Sequence, residues 1–155
     1  MNKVFWAVLL ILILILAGIY FSGVYTYFLK TEVSEELPSI DNKQEMAVLA
    51  EGFFGEIDFI HKGSGQASLI QSDDKVILRF EDFEVTNGPD LYVYLTKGEN
   101  PTGDLNSLGN YLNLGLLKGS KGNQNYELPA GAEGYNTAVI WCKKFGVLFS
   151  YAVLK

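Results

Sequence analysis

Between Lys3 and Lys30 no residue carries a charge, and most are Leu, Ile, Val, Ala or aromatic. A stretch apolar on every side belongs in a membrane or deep inside a large protein. As a helix rising ~1.5 Å per residue it is ~39 Å long, more than the ~30 Å hydrocarbon core of a bilayer, so it can cross with some tilt. Lys3 and the amino terminus precede it; Lys30 follows, soon joined by Glu32, Glu35 and Glu36. With one basic side chain on each flank, the free amino group tips the orientation towards a cytoplasmic N-terminus. The expectation is a single-pass protein of the cell membrane, held by lipid contact, with its C-terminal domain extracytoplasmic. A cleaved signal peptide is the alternative. Its apolar region usually runs ~7–15 residues, whereas this one is longer and ends in Tyr20, Phe21, Tyr25, Tyr27 and Phe28, which suit a membrane interface. No cysteine lies nearby to carry a lipid.

The rest of the 155-residue chain has a different character. All 18 acidic residues and ten of the 12 basic ones fall after Lys30, a formal charge of −8. That balance argues against nucleic acid as a partner, since phosphate neutralisation needs a basic face. The chain divides into an anchor with a short cytoplasmic start (1–30), a polar linker (31–48) and a β domain (49–155). The linker contains Pro38 and reads as a solvated spacer, with room for a short helical piece around Asn42–Leu49. From Leu49 onward, short runs of Val, Ile, Phe and Tyr alternate with clusters of Gly, Asn, Asp and Pro, the pattern of an all-β domain. The spacing predicts strands at Gly52–Phe59, Gln66–Gln71, Lys75–Phe83, Leu91–Thr96, Tyr111–Leu117, Asn123–Leu128, Ala138–Lys143 and Gly146–Leu154. Turns are expected at Gln71–Lys75 and Asn87–Asp90. This many short strands implies an antiparallel β-sandwich or barrel-like domain behind one N-terminal transmembrane helix.

Counting side chains narrows the chemistry. The chain has one cysteine, Cys142, and one histidine, His61. A type-one copper site needs two His and a Cys, covalent c-type haem needs C-x-x-C-H, iron–sulfur clusters need about four Cys or Cys/His ligands, and structural zinc needs four. A monomer can build none of these, and no metal site is expected. Non-covalent haem on His61, Cys142 or Met46 has a possible axial ligand but no recognisable pocket motif; no cofactor is identified. Gly63-Ser64-Gly65 is not a nucleophile elbow, and His61 reads as part of a loop between strands. The carboxylates at Asp73-Asp74 and Glu81-Asp82-Phe83-Glu84 suit either a Ca²⁺ site or a solvated strand edge, and no D-x-D-x-D-G loop favours the first.

Cys142 is the residue that asks for an explanation. On a strand over Ala138–Lys143, Ala138, Ile140 and Cys142 share one face, and Val139, Trp141 and Lys143 the other. Both faces are largely apolar, so both can be covered. If the strand runs one residue further, Lys144 lies on the cysteine's side, where its ammonium would favour the thiolate; a reversal at Gly146 would send it to solvent. The alternatives are a working thiol, half of an intermolecular bridge and a small buried hydrophobe.

Three blocks of sequence point further: Leu78-Arg79-Phe80-Glu81-Asp82-Phe83; Val85-Thr86-Asn87-Gly88-Pro89-Asp90-Leu91-Tyr92-Val93-Tyr94-Leu95; and Val139-Ile140-Trp141-Cys142-Lys143-Lys144-Phe145. With Gly52-Phe53-Phe54, His61, Gly65 and the segment Leu114–Pro129, they resemble the DM-thirteen domain (electron-transfer DM domain) family, in its membrane-anchored prokaryotic type, from about Ala50 to Leu154. The resemblance implies a β-sandwich-like fold and a proposed redox role centred on Cys142, with Trp141 and Lys144 as supporting residues. One thiol has no resolving partner within the chain, so a redox partner protein or a small thiol would complete any cycle. The competing reading is a non-catalytic surface module that binds a partner through its loops, with Cys142 as core.

Overall fold

The computed structural model describes residues 2–23, 25, 31–37, 46–72 and 75–155. The uncharged stretch forms helix α1 (Lys3–Ser22), none of whose residues is buried. By length and composition α1 suits a membrane span or a signal sequence. It ends at Gly23, whose φ of 75° is left-handed and whose N–H returns to the Tyr20 carbonyl, a stop that glycine makes at little cost.

Among the described residues the remainder is β structure: β1 (Ala47–Phe53), β2 (Gly63–Ser72), β3 (Lys75–Val85), β4 (Leu91–Thr96), β5 (Tyr111–Leu116), β6 (Lys121–Glu127), β7 (Thr137–Cys142) and β8 (Val147–Val153), with a 3-10 turn at Leu105–Leu108. They form two four-stranded sheets, ordered β1-β2-β3-β6 and β5-β4-β7-β8, and every pairing is antiparallel. The expected all-β sandwich is therefore the fold. Leu78, Phe80 and Phe83 from the first sheet meet Val93, Leu95, Ile140, Cys142 and Phe149 from the second in one buried cluster. The edges also meet: Glu51 and Lys155 exchange backbone hydrogen bonds of 3.1 and 3.0 Å.

Several details depart from the sequence-based expectation. The first strand is Ala47–Phe53 rather than Gly52–Phe59, so Ala47–Leu49 are strand rather than linker or helix; Asn42–Glu45 lie outside the described residues. Beyond Phe54 the chain turns away, because the Asp58 carboxylate accepts from the N–H groups of Ile60 and His61 at 2.7 Å each. Phe59 is left exposed. Strict alternation along β3 would also put Glu81 and Phe83 on one face. Instead the ladder shifts between Phe80 and Phe83, and Asp82 takes a φ of 47°. This bulge turns both rings inward, 5.0 Å apart, each 4.8 Å from the Phe54 ring. Asp73 and Asp74 lie outside the described residues.

The bulge requires Gly65 on the neighbouring strand. Its φ is +100°, and a Cβ there would lie 2.6 Å from the Asp82 carbonyl oxygen and the Phe83 Cα. Gly65→Ala is expected to cost about 2–3 kcal/mol, read as a lower urea midpoint with an unchanged slope.

Thr31–Leu37 is not a free spacer. The N–H groups of Val33 and Glu35 donate to the carbonyls of Lys121 and Asn123 at 3.0 and 2.9 Å, so the segment lies along β6 and covers that sheet edge. The Glu35 carboxylate pairs with Lys118 at 2.8 Å and accepts from the Asn125 N–H at 2.8 Å. The Arg79 guanidinium donates to the Glu35 carbonyl at 2.7 Å. Burial works against the Glu35 carboxylate, but its bonds to Lys118 and Asn125 and the nearby charges of Lys118 and Arg79 outweigh that and lower its pKa.

Candidate functional site

Cys142 is the last residue of β7. It pairs with Leu91 on β4 and Val147 on β8, and its side chain points between the sheets with Ile140 and Phe149. It is a free thiol with no exposed surface. Burial pushes its pKa up; backbone hydrogen bonding from Phe145, Asp90 and Lys144 pulls the other way without overcoming it, and the charge of Asp90 adds to the rise. At neutral pH the group is a protonated, desolvated thiol.

Just past it the chain reverses. Lys143, Lys144, Phe145 and Gly146 form an exposed turn. The Gly146 N–H donates to the Cys142 carbonyl at 2.8 Å, and the Lys143 N–H to the Asp90 carbonyl at 2.9 Å. A four-residue turn pinned by few bonds thus covers the sulfur on one side, and the Pro89-Asp90 turn lies beside it.

Trp141 faces away from Cys142, as the period of two requires. It lies on the outer side of the second sheet with Tyr94, Val139, Leu108 and Leu148, where the 3-10 turn and Ile57 cover it. Tyr94 stacks on Tyr111 at 4.7 Å and lies 6.1 Å from Tyr92; Lys143 sits 5.1 Å above the Tyr92 ring. β7 is buried on both faces, and Trp141 is part of a second core rather than a wall of the cysteine's pocket.

The ammonium of Lys144 does not act on the sulfur. Its Nζ donates to the carbonyls of Phe21 and Ser22, at 3.3 and 3.1 Å, at the end of α1. Only the backbone of Lys144 bears on Cys142. The three neighbouring candidates thus serve three surroundings: the inner core, the outer core and the helix end.

His61 has a partner that the sequence reading passed over. Its Nδ1 lies 2.7 Å from Asp58 Oδ2, and its ring packs 4.5 Å from Phe149. The Asp-x-x-His spacing across a tight turn was the available signal. The hydrogen bond from His61, with those from the His61 and Ile60 backbone, holds the Asp58 carboxyl down at about 2. His61→Ala removes the side-chain bond but keeps the two backbone N–H donors, so it is expected to bring the Asp58 carboxyl part of the way back towards the ordinary carboxylate range, followed by carbon-detected NMR titration. A carboxyl depressed in the fold stabilises its turn above the ordinary pKa and stops doing so as pH falls through the folded value. The wild-type turn should therefore loosen between about pH 4 and about pH 2, and that of His61→Ala should loosen at a higher pH than wild type within that window. Among the described residues no three of His, Cys, Asp or Glu gather as metal ligands.

An antiparallel β-sandwich with one buried thiol at the end of a central strand is the class these observations define. Residues 54–154 match the family described as Electron transfer DM13, and the chain belongs to that family. No curated protein and no solved structure matches the chain.

Proposed function

We propose that this chain is a membrane-anchored, extracytoplasmic electron-transfer module in which Cys142 is a protected redox thiol. The observation that carries the redox assignment is the family match over 54–154. Cys142 as its centre is supported by position: it is the chain's only thiol, and it lies under the exposed turn 143–146. Resting, it is neutral and out of reach. Local opening of the turn, which leaves both sheets folded, lets water lower the desolvation cost and frees the thiolate. The thiolate then attacks a partner disulfide, forming one S–S bond as the partner's breaks and releasing one partner thiolate. A small thiol resolves the mixed disulfide by attack on the Cys142 sulfur, releasing the second partner thiolate. A second small thiol regenerates Cys142 and leaves as a small-molecule disulfide. Two electrons pass from two small thiols to the partner disulfide. Anchoring is supported by the length and apolarity of α1, and the extracytoplasmic side by its flanking charges.

The test is incubation of the full chain in lipid vesicles with oxidised glutathione. A mixed disulfide at Cys142, formed while the near-ultraviolet spectrum stays native and absent in Cys142→Ser, is the expected result. No adduct until denaturant is added contradicts the redox role of this sulfur. It favours the second reading, a binding module with Cys142 as core, which the complete burial of the side chain already suits.

A further inference from the structure

The end of α1 meets one end of the sandwich. Lys144 holds the last helix carbonyls, those of Phe21 and Ser22, and a Cβ on Gly23 would lie 2.9 Å from the Pro89 side chain. The Thr31 N–H donates to Ser120 Oγ at 3.2 Å, and Thr31 shares a surface hollow with Pro89 and Leu116. Helix end, Thr31, the Pro89 turn and the 143–146 turn therefore occupy the same end of the domain.

That end has the chemistry of an interfacial surface. Phe145 is 45% exposed and Leu116 58% exposed, and Lys144 Nζ lies 5.7 Å from the Phe145 ring. Lys143 and Lys144 flank Phe145, a cationic spot on a domain whose formal charge is −8. Tyr20 and Tyr25 stack at 5.7 Å around the helix end, and Tyr is enriched where a membrane span meets the headgroups. Two carboxylates lie near this end: Asp90, half-buried beside Pro89, and Glu32, exposed next to Thr31.

We infer that the tip formed by Lys143, Lys144, Phe145, Pro89 and Leu116 rests on the headgroup layer of an anionic phospholipid bilayer, as a second membrane contact beside α1. The inference rests on the reading of α1 as a membrane span. Phe145 and Leu116 enter the headgroup boundary, Lys143 lies among the phosphates, and Lys144 adds its charge there while holding the helix end. Without the lysines an acidic domain would be pushed off such a surface. The turn that covers Cys142 would then face lipid, and its opening would depend on the bilayer.

The test uses the full chain in vesicles of phosphatidylcholine and phosphatidylglycerol. In wild type, lipids brominated on the acyl chain report on Trp6 and so on the anchor. Trp6→Phe with Phe145→Trp reports on the tip through a lipid spin-labelled at the headgroup, against a Trp6→Phe baseline that keeps only Trp141. Leu116→Trp in the same background is a second probe should the turn variant fail to fold. The added emission is expected to be quenched at least twofold. Lys143→Glu with Lys144→Glu should remove most of that quenching, since each basic side chain near an anionic surface strengthens the contact about fivefold. Quenched Trp6 with unquenched emission at both 145 and 116 overturns the tip contact and leaves the anchor standing. Unquenched Trp6 overturns the anchor, and the inference with it.

Discussion

Trp141→Ala is expected to destabilise the β domain by about 3–5 kcal/mol. The indole is 2% exposed and belongs to the outer cluster with Tyr94, Val139, Leu108 and Leu148. Its removal leaves a cavity that two sheet-bound neighbours, Val139 and Tyr94, cannot collapse to fill, since both are fixed in the β4–β7 ladder. Leu108, on the 3-10 turn, would lose a partner in the same cluster. Small domains have only about 5–15 kcal/mol of stability in total, so the variant should unfold at a much lower urea concentration, and Trp141→Phe should recover most of the difference. A change under about 1 kcal/mol would mean that the outer cluster is not a core.

The second large effect concerns the thiol. In the folded protein Cys142 should react with a maleimide about 10³-fold more slowly than in concentrated urea, corresponding to a local opening of roughly 4 kcal/mol. Such an opening would break the Lys143–Asp90 and Gly146–Cys142 bonds and the Cys142–Val147 pairing that hold the turn. The raised pKa adds a pH signature. A thiol that holds its proton more tightly in the fold stabilises the fold below the ordinary thiol pKa, and that contribution is lost as pH rises through the folded value. Wild type should therefore lose more stability than Cys142→Ser above the ordinary thiol pKa, while Tyr94 and Tyr126, whose pKa values are also raised, give both proteins a common loss at higher pH.

Much of this was legible in the chain because it is local. The alternation Ala138-Val139-Ile140-Trp141-Cys142 fixed β7, its two buried faces and the opposite directions of Trp141 and Cys142. The apolar run marked α1. Non-local partners decide what was missed. The bulge at Asp82 depends on Gly65 on another strand. The docking of residues 31–37 depends on Lys118, Asn125 and Arg79. Lys144 turns from the sulfur because its acceptors, Phe21 and Ser22, lie at the other end of the sequence. The first strand was misplaced because Phe59 and Ile60 look like core but are exposed, while Ala47–Phe53 is an edge strand whose apolar pattern is weak.

The urea dependence of Cys142 alkylation tests the protected redox thiol most directly. Local opening of the 143–146 turn exposes little surface, so the rate should stay nearly flat in low urea and join the global unfolding line only near the transition. A rate that climbs from zero urea with the full slope of global unfolding would contradict the account. In that case the sulfur is reached only when the sandwich comes apart, and Cys142 is core.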